Sequence, residues 1–420
     1  MAFHFSRDTK VFMKFKGTVS GSTDALYELP VLDGYSFSQA TNSSEITLSE
    51  AADSAGNSKR GRAMFNDSFA PAEWSFSTYM RPTTSAGGDT FVSNQHAGNG
   101  KKFAIEGPLW AAMSAESYGL AVAATDVQAV ATWEPNVFNF QNSNKVALGV
   151  FDLYFVLGAA KDTATGLYVT GTEGVTVYKI SDCSIGTASI DFDIEGLAQV
   201  AWSGQGKKIK EVTQLKTTVG ATSPAVAGEE STAKGLINEG ITSTSNYIRQ
   251  KLTSLAIEYD VSSATGTGTT VDGEAQMTAD TTYNVVLTGG NISIENNLTY
   301  LTPETLGSVN QPLGHVMGTR SVSGNFTCYL NTAAGGSMDL LEDLHEASDI
   351  ITNSFNMTFS IGGSSNPKVS VALPNCHLEL PTHSIEDVIS VDVNFHALPA
   401  DLSSATASSS ANEMSVTYSS

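Results

Sequence analysis

The chain has 420 residues, a formal net charge of −21, 41% hydrophobic residues and only 15% charged ones. That charged fraction is well below the ~25% usual in soluble domains. Ser, Thr, Gly, Asn and Val fill the gap, which points to an all-β chain with many turns. Such acidity disfavours a grip on phosphate backbones or anionic membranes, but not a surface past which DNA slides. The charge is uneven. Residues 252–420 hold 18 acidic and 2 basic side chains (Arg320 and Lys368), whereas residues 1–251 hold 25 and 20. Three cysteines, Cys183, Cys328 and Cys376, do not suggest a disulfide framework. The opening "MAFHFSRDTKVFMKFKG" lacks a signal-peptide core, and no run of ~18 apolar residues predicts a membrane span. A reducing cytoplasm is the expected site of synthesis.

In chain order, the first long polar segment is "QATNSSEITLSEAADSAGNSKRGRAMFNDSFAPAE", from Gln39 to Glu73. "SFSTYMRP" (Ser75–Pro82) then reads as a strand. "EGPLWAAMSAESYG" reads as a helix, with Pro108 near its start and Gly119 near its end. "FDLYFVLG" (Phe151–Gly158) and "CSIGTASIDFDIEGLAQVAWSG" (from Cys183) read as strands, separated by extra loop in "AAKDTATGLYVTGTEG". A Gly-, Ala-, Ser- and Thr-rich stretch follows, and "VSSATGTGTTVDGEAQMTAD" (Val261–Asp280) is an expected hairpin tip. "NFTCYLNT" (Asn325–Thr332) is the next strand. In the helical "GSMDLLEDLHEASD", Met338, Leu341 and Leu344 are spaced to pack on a sheet. "FNMTFSIG" (Phe355–Gly362) and "CHLELPTHSIEDVISVDVNFHA" (from Cys376) follow. The chain closes on a polar tail, expected to be disordered or to order on a neighbour.

These blocks repeat. "SFSTYMRP" resembles "NFTCYLNT", "FDLYFVLG" resembles "FNMTFSIG", and the two cysteine-led segments align without a gap. In the first segment Ile190, Phe192, Ile194, Ala198, Val200 and Trp202 alternate with polar residues. In the second, Ile385, Ile389, Val391, Val393 and Phe395 do the same. Each is expected to form a long strand or bent strand pair with a polar, partly acidic outer face. The division predicted is residues 1–216, a linker over 217–243, residues 244–402 and a tail over 403–420. Each half is a β-sandwich or partial barrel with one flanking helix.

Chemical motifs do not survive inspection. "GNGKK" and "GQGKK" lack phosphate-loop spacing, since Phe103 and Ile209 stand where hydroxyls would follow. The histidines have no metal-site spacing. His383, Ser384 and Asp387 lie on one strand, whose alternation separates the first two. Cys183 and Cys376 share a repeat position and are expected to be small buried hydrophobes. No enzyme activity, cofactor or metal is expected.

The later blocks also carry a family resemblance. "NLTYLTPETLG" (Asn297–Gly307), "GTRSVSGNFTCYL" (Gly318–Leu330), "FNMTFSIGG" and "SIEDVISVDVNFHALP" (Ser384–Pro399) resemble, in order and wording, the tail tube proteins of long-tailed bacteriophages. The resemblance covers roughly residues 283–401; the first half joins it through the repeat. It implies six domains per ring, rings stacked into a hollow tube, and one sheet face lining the channel through which DNA leaves. With two domains per chain, a ring needs three chains. The loop said to pack on the adjacent ring maps onto Gln39–Glu73 and Glu295–Ser323. That makes Lys59, Arg60, Arg62, Tyr300, Leu301, Thr302 and Arg320 the expected stacking residues. Asp191, Asp193, Glu195, Glu386, Asp392 and Asn394 are the expected channel or interface face. The implied partners are further copies of the chain, a tape measure, a tail terminator, a baseplate or tip, and DNA passing without specific binding, with assembly in the host bacterial cytoplasm. The rival reading is a virion fibre or adhesin-type β-sandwich binding module, a monomer or isolated trimer with a ligand patch.

Overall fold

The structure is a computed structural model that describes residues 8–16, 26–46, 54–57, 63–84, 102–115, 136–141, 148–158, 167–171, 174–217, 229–231, 236–237, 246–259, 281–302, 311–346, 355–380, 382–384, 388–399 and 412–420. It is all-β with minor α. The first half contains β1 (Thr9–Lys16), β2 (Leu26–Leu29), β3 (Ser36–Ile46), β4 (Ala63–Tyr79), β5 (Pro82–Thr84), β6 (Lys102–Ala104), α1 (Gly107–Ser114), β7 (Val137–Gln141), β8 (Val150–Leu157), β9 (Leu167–Val169), β10 (Thr176–Phe192), β11 (Gln199–Gly206), β12 (Lys208–Val212) and β13 (Gln214–Lys216). Two short strands follow, β14 (Glu229–Ser231) and β15 (Leu236–Ile237). The second half contains β16 (Ser254–Tyr259), β17 (Thr281–Val285), β18 (Leu287–Glu295), β19 (Leu298–Leu301), β20 (Gly314–Met317), β21 (Ser321–Tyr329), α2 (Ser337–Glu346), β22 (Phe355–Ile361), β23 (Lys368–Leu378), β24 (Thr382–Ser384), β25 (Ser390–Ala397) and β26 (Asn412–Ser419).

The internal repeat reappears as a repeated set of strand pairings. In the first half β2 pairs β1, β1 pairs β8, β8 pairs β10, β10 pairs β11, β11 pairs β4 and β4 pairs β3. In the second half β17, β16, β22, β23, β25, β21 and β18 are joined in the same sequence. β10 and β23 each bend from one layer of their sandwich to the other. The bends carry bulges near Cys183 and Cys376, where the register slips against β8 and β22. Both thiols are fully buried and point back to the carbonyl three residues earlier. Their expected role as small core groups holds.

The core follows from the alternation. Trp74, Phe76, Trp202, Ile190, Ile292, Phe326, Val393 and Phe395 sit on one side of their strands and are at most 3% exposed. β8 is buried on both sides because a second cluster of Phe12, Tyr154, Val156, Tyr168, Val177 and Leu215 lies behind it. The small sheet β9–β13–β14 includes Tyr168 and Leu215 of that cluster, so the extra loop of the first copy supplies part of its cover.

Several expectations are corrected. α1 ends at Ala115 in the left-handed conformation (φ 61), four positions before Gly119, which lies outside the described residues. The helix is apolar all round and all eight residues are buried. In α2, Leu340, Leu341 and Leu344 turn inward while Met338 is 44% exposed. Parts of the 217–243 linker are strands: β14 pairs β13 and β15 pairs β2, both in parallel. The proposed hairpin tip at Val261–Asp280 lies outside the described residues. The tail is corrected most. Residues 412–419 form a strand that pairs with β23 of the second half and β7 of the first. Met414, Val416 and Tyr418 point inward, a period of two hidden by Ser- and Thr-rich composition.

Candidate functional site: a polar sheet face and its two edges

The two halves share one sheet. The end of β10 pairs with β18, from Thr187 opposite Glu295 to Phe192 opposite Gly290. Hydrogen-bonded neighbours therefore run β3–β4–β11–β10–β18–β21–β25–β24 across both repeats. Because side chains alternate, the face opposite the core collects the polar set in cross-strand rows. One row reads Ser36, Ser75, Ser203, Thr187, Glu295, Ser321. The next reads Ser77, Ala201, Ser189, Ser293, Ser323, His396. A third reads Asp191, Asn291, Asn325, Asn394. Hydroxyls bond along these rows: Ser36 Oγ lies 2.8 Å from Ser75 Oγ, and Thr187 contacts Ser203.

β3, β4, β11, β18, β21, β24 and β25 contain no Lys or Arg. The charges on the face are carboxylates: Glu73, Asp191, Glu295 and Asp392. Asp392 accepts from Asn325 Nδ2 at 3.1 Å and Thr327 Oγ1 at 3.2 Å. At its border Glu379 accepts from Asn394 Nδ2 at 2.9 Å and faces His396 Nε2 at 3.4 Å. The Asn394 hydrogen bond, then that of His396, hold the Glu379 carboxyl below its usual range. The face offers neutral hydrogen-bonding groups and negative charge, but no cationic clamp for phosphate.

The seam between the halves is specific. Asn296, 1% exposed, donates from Nδ2 to Ile185 O (3.2 Å) and Met113 O (3.3 Å). The β19–β20 hairpin lies on the first half. Tyr300 donates its hydroxyl to Asp182 O at 2.6 Å, with Gln205 O at 3.0 Å. Burial, first of all, raises the Tyr300 hydroxyl pKa, and burial lowers that of the His315 ring, whose Nδ1 lies 3.2 Å from Ser184 Oγ. The sheet stops at two places. Among the described residues β3 pairs only with β4, and β24 only with β25.

The structure distributes the expected residues unevenly. Asp191, Asp392 and Asn394 share the polar face. Asp193 and Glu195 do not: β10 ends at Phe192 and they stand in the exposed turn before β11, because Gly196 (φ 106) breaks the strand that the alternation seemed to continue. Leu301 is 50% exposed and Thr302 half-buried, but Tyr300 is 8% exposed inside the seam. Arg320 is 6% exposed, bonded to Glu413 Oε2 at 2.7 Å and Gln141 O at 2.9 Å, and stacked over Phe140. Both partners belong to the same chain, Glu413 to β26 and Gln141 to β7. Lys59, Arg60, Arg62 and Glu386 lie outside the described residues. The serine rows were missed; the signal was the hydroxyl alternation in "SFSTY", "TAS" and "SVS". Among the described residues no group of three or more His, Cys, Asp and Glu side chains could hold a metal, and no helix is long and apolar enough to cross a membrane.

Fold and face together define an all-β chain with one polar, partly acidic sheet face. A sequence model of the family described as phage tail tube protein matches residues 82–397, most of the chain, which therefore belongs to that family. It is similar to tail tube protein pb6 of Escherichia phage T5, with 28% identity over 406 residues that cover 96% of this chain and 74% of that one. A solved structure of the SPP1 tail tube also matches, with 12% identity, 34% of this chain and 72% of that chain covered, and a TM-score of 0.21. The protein is a structural component of the virion tail and polymerises into its tube.

Proposed function

We propose that three copies of this chain close into a pseudo-sixfold ring, that rings stack into the hollow tail tube, and that the serine- and asparagine-rich face lines the channel through which DNA passes. The observation that carries this reading is the β10–β18 pairing. It joins the far end of the bent strand β10 in one repeat to β18, the third strand of the next repeat, and the repeats have equivalent pairings. The same junction between chains would set the β24 edge of one copy against the β3 edge of the next. Three chains then supply six four-strand sets, and closure leaves no sheet edge exposed. The halves act as two tube domains, residues 1–216 and 244–402. Assembly proceeds in the host cytoplasm, and the tube's partners are the tape measure, the terminator and the baseplate or tip. DNA slides past because the face has hydroxyls and carboxylates without cations.

The test uses cysteines on the two edges. Opposed residues of an antiparallel pair have Cα atoms about 4.5–5.5 Å apart, which suits a disulfide. Ser36→Cys or Ser38→Cys, combined with Thr382→Cys or Ser384→Cys, should give covalent closed trimers on oxidation. Covalent hexamers, or no cross-link in assembled tubes, would contradict the reading. The fibre-module rival would give a non-stacking particle; nothing in the site favours it.

A further inference from the structure

The second apolar cluster of the first half has a buried ion pair at its edge. Asp152 stands on β8 opposite the bulged residues Ser181 and Asp182 of β10, where the register slips between Ile180 and Cys183. Lys179 pairs with Tyr154, two residues from Asp152, so both side chains lie on the face packed by Tyr154 and Val177. Lys179 Nζ is 2.8 Å from Asp152 Oδ2 and 5.3 Å from the centre of the Tyr154 ring. The two side chains are 8% and 2% exposed. The other carboxyl oxygen has different partners. Asp152 Oδ1 accepts from Lys16 Nζ at 2.9 Å and from the Asp182 backbone N–H at 3.0 Å. Asp182 is left-handed (φ 51), uncommon outside glycine, and its own carboxylate anchors Lys16 Nζ at 2.9 Å. One ammonium and one amide are thereby aimed at a single oxygen.

We infer that Lys179 and Asp152 join in an isopeptide bond across β8 and β10. A buried amine, a carboxyl at contact distance and two donors on its far oxygen are the parts such a bond needs. At this burial the charged pair is costly, and proton transfer from Nζ to Oδ2 gives a neutral amine and a neutral acid. Nζ then attacks Cγ, and the negative charge that forms on Oδ1 is held by the Lys16 ammonium and the Asp182 N–H. Nζ yields a second proton to the Oδ2 hydroxyl, the Cγ–Oδ2 bond breaks and one water leaves. The atoms balance without an oxidant or co-reactant. Lys16 is the oxyanion donor and not the nucleophile, because its side chain is 38% exposed and stays a hydrated ammonium. The bond ties β8 to β10 beside the bend, in a chain whose three cysteines are free. It also lies next to the seam, where Tyr300 donates to Asp182 O.

Mass spectrometry of the full chain tests this. Peptide mapping should find a branched peptide that joins the Asp152 and Lys179 segments and is lighter by one water than the two together. The denatured intact chain should be lighter than its sequence by the same water. Lys179→Arg keeps the ion pair and should restore the full mass in folded protein, with a lower Tm. Lys16→Met removes the ammonium at Oδ1. In protein followed from cell-free synthesis it should slow the loss of water by roughly 10²-fold or more. A merely structural Lys16 would change Tm and leave that time course untouched, which would overturn the role given to it. Wild-type chain of full mass with the two segments unlinked would mean an ion pair only and overturn the bond. A branch through Lys16, or through another carboxyl, would overturn the assignment as well.

Discussion

Two glycines show how closely the sheets are packed. Trp74 lies across from Gly204, and Phe395 across from Gly324. A Cβ on Gly204 would fall 2.5 Å from the Trp74 ring and 2.2 Å from Ser184 O; one on Gly324 would fall 2.7 Å from the Phe395 ring and 2.0 Å from Asn291 O. Gly204→Ala and Gly324→Ala should each destabilise by about 1–3 kcal/mol, seen as a lower Tm. A buried carboxyl gives a second residue-scale prediction. Burial raises Glu106 from 4.5 to about 7, against opposing hydrogen bonds from the Tyr418 hydroxyl and the Arg81 backbone N–H and the attraction of the Arg81 charge. The folded chain then holds this proton more tightly than the unfolded one. The contribution of Glu106 is greatest below about pH 4.5 and falls as pH rises to about 7, by roughly 3 kcal/mol in all. Melts between pH 4.5 and 7 should show this decline, and Glu106→Gln should flatten it. At this scale the sequence was readable where alternation alone decides burial, as at Val391, Val393 and Phe395. It misled at Asp193 and Glu195, where the polar–apolar rhythm runs on through a turn.

At the scale of elements, β26 holds the chain's end to both halves. Trp110 Nε1 donates to the Tyr418 hydroxyl at 2.7 Å, Asn136 Nδ2 to Tyr418 O at 3.0 Å, and Glu413 neutralises buried Arg320. Glu413→Ala would leave that guanidinium buried without its carboxylate, at a cost of about 3–5 kcal/mol. Glu413→Ala combined with Arg320→Met should recover much of it; a double-mutant cycle by denaturant unfolding measures the difference. β26 was illegible as an element because its strand signal is three inward residues among hydroxyls, and its two partner strands are remote in sequence. The repeated blocks were legible because each carries its own alternation. The gapless alignment kept the face but not the register: Trp202 stands opposite Phe76, whereas Phe395 stands opposite Gly324 rather than Phe326. A slide of two residues preserves every facing, so the pattern cannot detect it.

At the scale of the whole molecule, the tandem organisation and the family were legible, but the sheet that unites the halves was not. Edge-to-edge pairing of β10 with β18 is made by backbone groups, which leave little trace in side-chain pattern. On the proposed reading the serine rows face the channel, and a charge test follows. Ser189→Lys/Ser293→Lys should still form tubes but slow DNA ejection by introducing phosphate contacts, with the delay shrinking as salt rises; ejection rates of phage carrying the variant measure it. The central claim is the closed ring, and cryo-electron microscopy of the assembled tube tests it most directly. The account predicts three chains per ring, β3 of each paired to β24 of its neighbour, and Ser189, Ser293 and Asn325 facing the channel. Six chains per ring, or that face turned outward, would contradict it.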